Sequence, residues 1–229
     1  MSIADNAAAL RARIEAAAAR ANREASAVRL VGASALSKGV SDAAVLEALA
    51  AGVSDFGENW LQEAEDRIER LAAQVEGRAT WHFIGHVQRN KAPGVLSAFD
   101  IIHSVDSLRL AERLSERAEH RARILLEVNV AGEASKYGFM PSEVAESVTA
   151  ISRLPNLELA GLMTMAPQVA DVQDTRPVFR TLRELANANG LTELSMGMTE
   201  DFEVAVEEGA TMVRIGRALF GHSGEAPSK

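Results

Sequence analysis

The chain has 229 residues, of which 47% are hydrophobic and 24% charged, so it can bury one large core and does not have a disordered composition. A formal net charge of −8 provides no basic excess for nucleic acid, and zero cysteines exclude disulfides and cysteine-ligated metals. No apolar run is long enough to cross a membrane, and the first residues contain no apolar signal segment. We therefore expect a cytoplasmic protein without nucleic-acid or membrane partners.

The chain begins with an alanine-rich stretch at residues 4–25, which predicts a helix that precedes any strand. We assign residues 1–28 to an N-terminal helix packed on the outside of the domain. Short apolar runs then predict strands at residues 29–36, 53–57, 81–85, 100–103, 124–130, 157–163, 193–196 and 212–215. Amphipathic stretches predict helices at residues 41–51, 60–75, 88–97, 107–119, 141–153, 171–189, 200–208 and 217–221.

The repeated order of strand and helix predicts a parallel sheet with helices outside it, because parallel strands need crossover connections. A count of eight strands predicts a single α/β domain, a (β/α)₈ TIM-type barrel over residues 29–221. We expect residues 222–229 to be a frayed tail. An open, doubly wound sheet would give a similar alternation, although no Gly-x-Gly-x-x-Gly motif follows the first strand.

Lys38 follows the first predicted strand directly, at the end of the barrel where active sites occur. A neutral lysine amine at such a position can attack an aldehyde, and partial burial near other cations lowers its pKa toward that neutral form. The alternative interpretation is a solvated loop lysine. Position alone does not decide between them.

Two later turns have the composition of a phosphate site. The first runs from Ser195 to Thr199, the second from Arg214 to Arg217, and each leads from a strand into a helix. Glycines there allow the backbone to approach an anion, and N–H groups at helix starts bind phosphate. Barrels often bind phosphate after strands seven and eight. Alternatively, the glycines only permit tight turns.

His82 and His86 flank Gly85, but no third ligand at metal-binding spacing accompanies them. We expect no metal site, and we expect His82 to hydrogen-bond inside the barrel.

Several segments, in the same order along nearly the whole chain, resemble the pyridoxal phosphate homeostasis family, whose barrels are related to the N-terminal domain of alanine racemase. The resembling segments are Ser37-Lys38 and residues 56–63, 81–91, 133–138, 161–163, 194–198 and 214–221. Threonine and proline commonly follow the family's lysine, whereas Gly39 and Ser41 stand at those places here. Thr199 stands where serine is typical.

The resemblance implies that Lys38 holds pyridoxal 5′-phosphate (PLP) as a Schiff base and that Asn59 lines the cofactor's surroundings. It implies an arginine near the pyridine nitrogen or the phosphate, at Arg214. It also implies a phosphate site built from side chains and backbone amides of Ser195, Met196, Gly197, Met198, Thr199, Gly216 and Arg217.

The resemblance further implies a monomeric protein of vitamin B6 homeostasis that holds PLP and passes it to PLP-dependent apo-enzymes, with no catalytic residue. Racemases of this fold add a β-domain and a partner's tyrosine, whereas Tyr137 is the one tyrosine here. A PLP-dependent amino-acid enzyme such as a racemase is the second hypothesis. A barrel isomerase or aldolase acting on a sugar phosphate is the third.

Overall fold

The computed structural model describes residues 1–34, 40–133 and 136–221. Its strands are β1 Arg29–Ala33, β2 Asp55–Glu58, β3 Thr80–Phe83, β4 Ile101–Val105, β5 Ala122–Glu127, β6 Leu157–Met163, β7 Glu193–Ser195 and β8 Met212–Ile215. Each strand pairs in parallel with the next along the chain, and β8 pairs with β1. The barrel is therefore closed, which confirms the predicted fold and shows that the open-sheet alternative is wrong.

Helices follow the strands in the expected places. They are α1 Ile3–Arg20, α2 Asp42–Ala50, α3 Leu61–Val75, α4 Ala92–Ala98, α5 Leu108–Arg117, α6 Val144–Ile151, α7 Arg176–Ala188, α8 Phe202–Glu207 and α9 Arg217–Phe220. Three of the longer connections end with a turn of 3₁₀-helix directly before the α-helix, at Arg89–Lys91, Pro141–Glu143 and Val172–Thr175. A proline accompanies each of these turns. It lies at the start of the following α-helix in two cases and at the start of the 3₁₀ turn in the third, and it has no N–H to donate there.

The main hydrophobic core lies between the strands and the helices, where the outward faces of the strands meet the apolar faces of the helices. Inside the barrel the apolar cluster is small and consists of Val31, Leu125, Met163 and Met212. Side chains alternate across a strand, so residues two positions from these also point inward. Charged and polar side chains occupy most of those positions, which makes this barrel interior unusually polar.

The N-terminal helix α1 begins with a capping box, in which the hydroxyl of Ser2 accepts from the N–H of Asp5 and the Asp5 carboxylate accepts from the N–H of Ser2. Its apolar face packs against α8, α9 and α2. Asn6 donates to the carbonyl of Leu219, and the guanidinium of Arg13 lies over the ring of Phe202. Helix α1 therefore braces the two helices that follow β7 and β8.

No helix among the described residues is long and apolar enough to cross a membrane.

Candidate functional site

Lys38, the central residue of the sequence prediction, is one of residues 35–39, which lie outside the described part of the chain. Strand β1, which precedes it, ends at Ala33 and lies between β8 and β2 in the barrel. The position of the lysine side chain stays a prediction. The surrounding strand ends are described, and they determine what the mouth of the barrel can bind.

The turn after β7 depends on Gly197. Its φ of +91° is in the region that L side chains rarely adopt, and an added Cβ would lie 2.5 Å from the Cβ of Ala205. The carbonyl of Gly197 accepts from the N–H of Arg214 at 3.0 Å, so the turns after β7 and β8 are joined. The N–H of Met198 donates to the carboxylate of Asp201 at 2.6 Å, which fixes the next residue of the turn.

These joined turns present backbone donors without acceptors. In α9 the first hydrogen bonds come from residues 219 and 220 to the carbonyl of Gly216, and in the β7 turn residues 201 and 202 donate to the carbonyl of Met198. Within residues 1–34, 40–133 and 136–221, nothing accepts from the N–H groups of Thr199, Glu200, Arg217 and Ala218. Unpaired N–H groups at a helix start are the donors that a phosphate accepts from.

A cavity of about 850 Å³ opens beside these donors. Met198, Thr199 and Arg217 line one side of it, and the loop of residues 166–172 lines the other. This volume is within the range of small-molecule sites. Met198, Thr199 and Arg217 therefore line one cavity, beside the turn residues Gly197 and Gly216.

Met196 and Ser195 do not face that cavity. The side chain of Met196 is fully buried in the main core between strands and helices. Ser195 is also fully buried, inside the barrel, and its hydroxyl lies 2.8 Å from Nδ1 of His103 and 2.5 Å from a guanidinium nitrogen of Arg214. Both hydrogen-bonding capacities of this hydroxyl are in use.

Arg214 points into the barrel below the mouth and is almost completely buried. One of its nitrogens donates to Ser195, and another donates to the carbonyl of Thr164 at 3.0 Å. Burial lowers its pKa to about 10, although the carboxylates of Asp201 and Glu127 favour its charged form. The guanidinium therefore stays charged at neutral pH and can donate to an acceptor in the mouth.

Asn59 lies at the end of β2 and is half-buried. Its backbone is packed against Gly85, where an added Cβ would lie 2.3 Å from the Asn59 carbonyl oxygen. Its side chain makes no hydrogen bond to the described residues. That Asn59 lines the surroundings of a cofactor stays a prediction.

Glu127 is a mouth residue that the sequence did not predict. It ends β5 on the inward face, two residues after Leu125 of the inner cluster, and it is buried. Burial and the nearby carboxylate of Asp106 raise its pKa to about 7, while Arg214 and Lys136 act in the opposite direction. Period-two alternation through residues 123, 125 and 127 could have identified it as inward-facing.

We predict that Glu127→Gln stabilises the protein in a pH-dependent way. The raised pKa means that Glu127 contributes most to stability below pH 4.5, its ordinary value, and that this contribution is lost as pH rises through about 7. Glutamine cannot ionise, so the variant should be more stable than wild type by on the order of 2 kcal/mol at pH 8 and by little at pH 5.

Urea unfolding at both pH values measures this difference. The exposed Glu119→Gln is the control, with equal effects at pH 5 and pH 8. A Glu127→Gln variant whose difference from wild type does not change with pH would contradict the prediction.

His86 and Tyr137 lie together at the rim. Their rings stack with centroids 4.0 Å apart, and Nδ1 of His86 lies 3.1 Å from the carboxylate of Asp106. His82 lies in β3, fully buried, and hydrogen-bonds inside the barrel, which confirms the prediction for it. Among the described residues no cluster of side chains is arranged to hold a metal ion.

Comparisons with known proteins agree with this geometry. Residues 6–224 match the family model of the alanine racemase N-terminal domain. A pyridoxal phosphate homeostasis protein of Pseudomonas aeruginosa is 46% identical, with 96% of this chain and 95% of that protein covered. The chain belongs to the pyridoxal phosphate homeostasis protein family. This confirms the resemblance inferred from the sequence.

Solved structures of related proteins have the same barrel fold. PipY of Synechococcus elongatus with PLP bound is 36% identical and superposes with a TM-score of 0.81, covering 96% of this chain and 100% of that chain. Alanine racemase of Corynebacterium glutamicum is 20% identical with a TM-score of 0.66, covering 99% of this chain and 62% of the racemase. At that identity the racemase likeness shows the fold alone.

Proposed function

We propose that this protein binds PLP at the mouth of its barrel and acts in PLP homeostasis by holding the cofactor and delivering it to PLP-dependent apo-enzymes. The observation that carries the proposal is the pair of joined turns after β7 and β8, which present unpaired N–H groups to one cavity. The family relatives named for PLP homeostasis, and PipY with PLP bound, support it. We also propose a cytoplasmic monomer.

Lys38 holds the aldehyde in this proposal. Its neutral amine would hold the aldehyde carbon covalently, with one water released. The sequence contains three other lysines, Lys91, Lys136 and Lys229. The amine of Lys136 is already engaged, since it is paired with the carboxylate of Glu133 at 2.5 Å. Lys91 lies exposed in a 3₁₀ turn.

The phosphate lies at the joined turns in this proposal. The backbone N–H groups of Thr199, Arg217 and the following residues donate to it, together with the Thr199 hydroxyl and the Arg217 charge. Gly197 and Gly216 permit the backbone conformation of the two turns, and Met198 is part of the turn after β7. Arg214 donates to the ring nitrogen, and Asn59 lines the ring's surroundings.

Ser195 has a different role in this proposal from the phosphate ligand that the sequence suggested. Its hydroxyl is buried and holds Arg214, so it acts on the cofactor through that arginine.

We propose that the bound cofactor is held without catalysis. When bound, PLP supplies an electron sink, and turnover requires a matched acid–base group and exclusion of water. The alternative of a PLP-dependent amino-acid enzyme deserves a test because the Asp106–His86 pair and Glu127 are acid–base groups near the mouth. Their presence is the specific observation that favours that second candidate.

We predict that the PLP-loaded protein does not accelerate exchange of the α-proton of common amino acids. Amino acids are incubated in deuterated water with the protein, and loss of the α-proton signal is followed by NMR. Exchange no faster than with free PLP is expected. Rapid exchange that disappears in both Lys38→Ala and His86→Gln would replace the carrier proposal with an enzyme.

Delivery is tested by mixing the PLP-loaded protein with a PLP-dependent apo-enzyme and following recovered activity. A membrane that retains proteins separates the two in a parallel experiment. Faster recovery in the mixture than across the membrane supports direct delivery. Equal recovery would mean that PLP simply dissociates, and a protein that binds no PLP would contradict the proposed function itself.

A further inference from the structure

A line of polar side chains crosses the interior of the barrel from its lower edge to Arg214. Oδ1 of Asp55, at the start of β2, lies 3.0 Å from Nε2 of His82 in β3. Nδ1 of His82 lies 2.8 Å from Nε2 of His103 in β4. Nδ1 of His103 lies 2.8 Å from the hydroxyl of Ser195, which accepts from Arg214. The line joins strands β2, β3, β4, β7 and β8.

Both histidines are completely buried in a barrel whose interior positions usually hold branched apolar side chains. Burying an imidazole is costly unless its ring nitrogens are hydrogen-bonded. Here all four ring nitrogens have a partner, so the line is complete. Valine or leucine would fill the same space, and the polar line therefore requires an explanation other than packing.

The hydrogen-bond directions follow from the two ends of the line. Asp55 is ionised at neutral pH because hydrogen bonds from His82 and Ser54 and nearby positive charge outweigh burial, which by itself raises its pKa; the net pKa is lowered. Asp55 can only accept, so Nε2 of His82 donates to it; with this one proton on the ring, Nδ1 of His82 accepts from Nε2–H of His103. Nδ1 of His103 then accepts from Ser195.

At the other end Arg214 can only donate. The Ser195 hydroxyl receives one Arg214 N–H and passes its own proton toward His103. With one proton on each ring, every donor in the line points from Arg214 toward Asp55; the Asp55 end fixes this direction, because a hydroxyl has two lone pairs and could also accept from both Arg214 and His103. Burial and the charges of the surrounding groups hold the pKa of His103 well below its ordinary value, so His103 remains neutral.

We propose that Asp55, His82 and His103 are positioning residues that act through Ser195 to hold Arg214 in one orientation toward the ring nitrogen of a bound pyridoxal ligand. This inference rests on the proposed function. Two donors of Arg214 are occupied, by Ser195 and by the Thr164 carbonyl, and those two bonds fix the plane of the guanidinium. Its remaining donors are then held for the ligand instead of having to be oriented on binding.

The line itself is tested in the unliganded wild-type protein by ¹⁵N NMR of its histidines. Both His82 and His103 should show a proton on Nε2 and none on Nδ1, and His103 should not titrate between pH 5.5 and 8. The exposed His120 lies outside the line and serves as the internal reference signal. A proton on Nδ1 of His103, or a mixture of tautomers, would overturn the proposed direction.

The positioning role is tested by measuring dissociation constants of PLP and pyridoxal for Ser195→Ala, Ser195→Thr and His120→Gln. Ser195→Ala interrupts the line beside Arg214 and should weaken both ligands by a similar factor of about 10, because the ring nitrogen is common to both. Threonine keeps the hydroxyl and should restore binding to within about threefold. His120→Gln should bind like wild type.

Asp55→Asn provides a second variant if Ser195→Ala does not fold. It removes the acceptor charge four hydrogen bonds away from Arg214, and it should release the histidine tautomers and weaken both ligands. Unchanged binding in a folded variant of either residue overturns the positioning role. Loss of PLP alone, with pyridoxal unaffected, makes Ser195 a phosphate ligand instead. If wild type binds neither ligand, the proposed function fails, whereas the tautomers still decide whether the line exists.

Discussion

Lys38→Ala should abolish the covalent PLP adduct completely while the protein remains folded. The Schiff base needs an amine, and alanine provides none, whereas the described strands close the barrel and the described core residues pack it. The measurement is borohydride reduction of the PLP-loaded variant, followed by intact mass. No mass increase is expected, together with loss of the near-visible absorbance band. Weak, reversible binding through the phosphate should persist.

Lys91→Arg and Lys136→Arg are matched controls, since each removes a lysine amine and keeps the charge. Both should retain the adduct in full. If Lys38→Ala still formed a reducible adduct and Lys136→Arg did not, the Schiff base would have to be assigned to Lys136, the lysine paired with Glu133.

Gly197→Ala should weaken PLP by roughly 100-fold and pyridoxal by less than about threefold. An added methyl would collide with Ala205, and φ of +91° is strained for alanine, so the turn must move. Moving it displaces the donors on Thr199 and its neighbour. Each hydrogen bond to a charged group contributes about 1.5 to 3 kcal/mol, so two lost bonds account for that factor.

Gly190→Ala is the control because it has a similar φ of +69° and no atom within 4 Å of an added Cβ. It carries the same backbone strain without the collision and lies outside the phosphate turns. Its affinity for both ligands should equal that of wild type. Equal losses of PLP and pyridoxal in Gly197→Ala would instead indicate general damage to the barrel.

The sequence predicted the closed barrel because each strand is a short apolar run and each helix a longer amphipathic one. Strands β6 and β8 were predicted with their observed bounds. The end of β5 was predicted three residues too late. Residues 128–130 are Val, Asn and Val, and they contain no glycine or proline that would mark the end of a strand. The bridge from Val128 to Phe139 explains this, since the chain stays extended there without joining the β5 strand proper.

The phosphate turns were predictable because glycine, threonine and arginine are concentrated after β7 and β8. The inward orientation of the Ser195 side chain was not predictable, because its hydroxyl contacts His103, which is 92 positions away in the chain. Pairing across the barrel follows from closure and strand register, which a single sequence does not show. The inward direction of Glu127 could have been found from alternation along β5, but its raised pKa could not, because that comes from burial and from Asp106 at the end of a neighbouring strand.

Whether Lys38 holds PLP as a Schiff base is tested by peptide mapping of the wild-type protein after PLP loading and borohydride reduction. Trypsin cannot cleave after a modified lysine, so an adduct on Lys38 gives one uncleaved peptide of residues 30–67 that carries the reduced cofactor. We expect this peptide to hold essentially all of the bound pyridoxyl mass. Recovery of the mass on a peptide containing Lys91 or Lys136, or complete cleavage after Lys38 in the loaded protein, would contradict it.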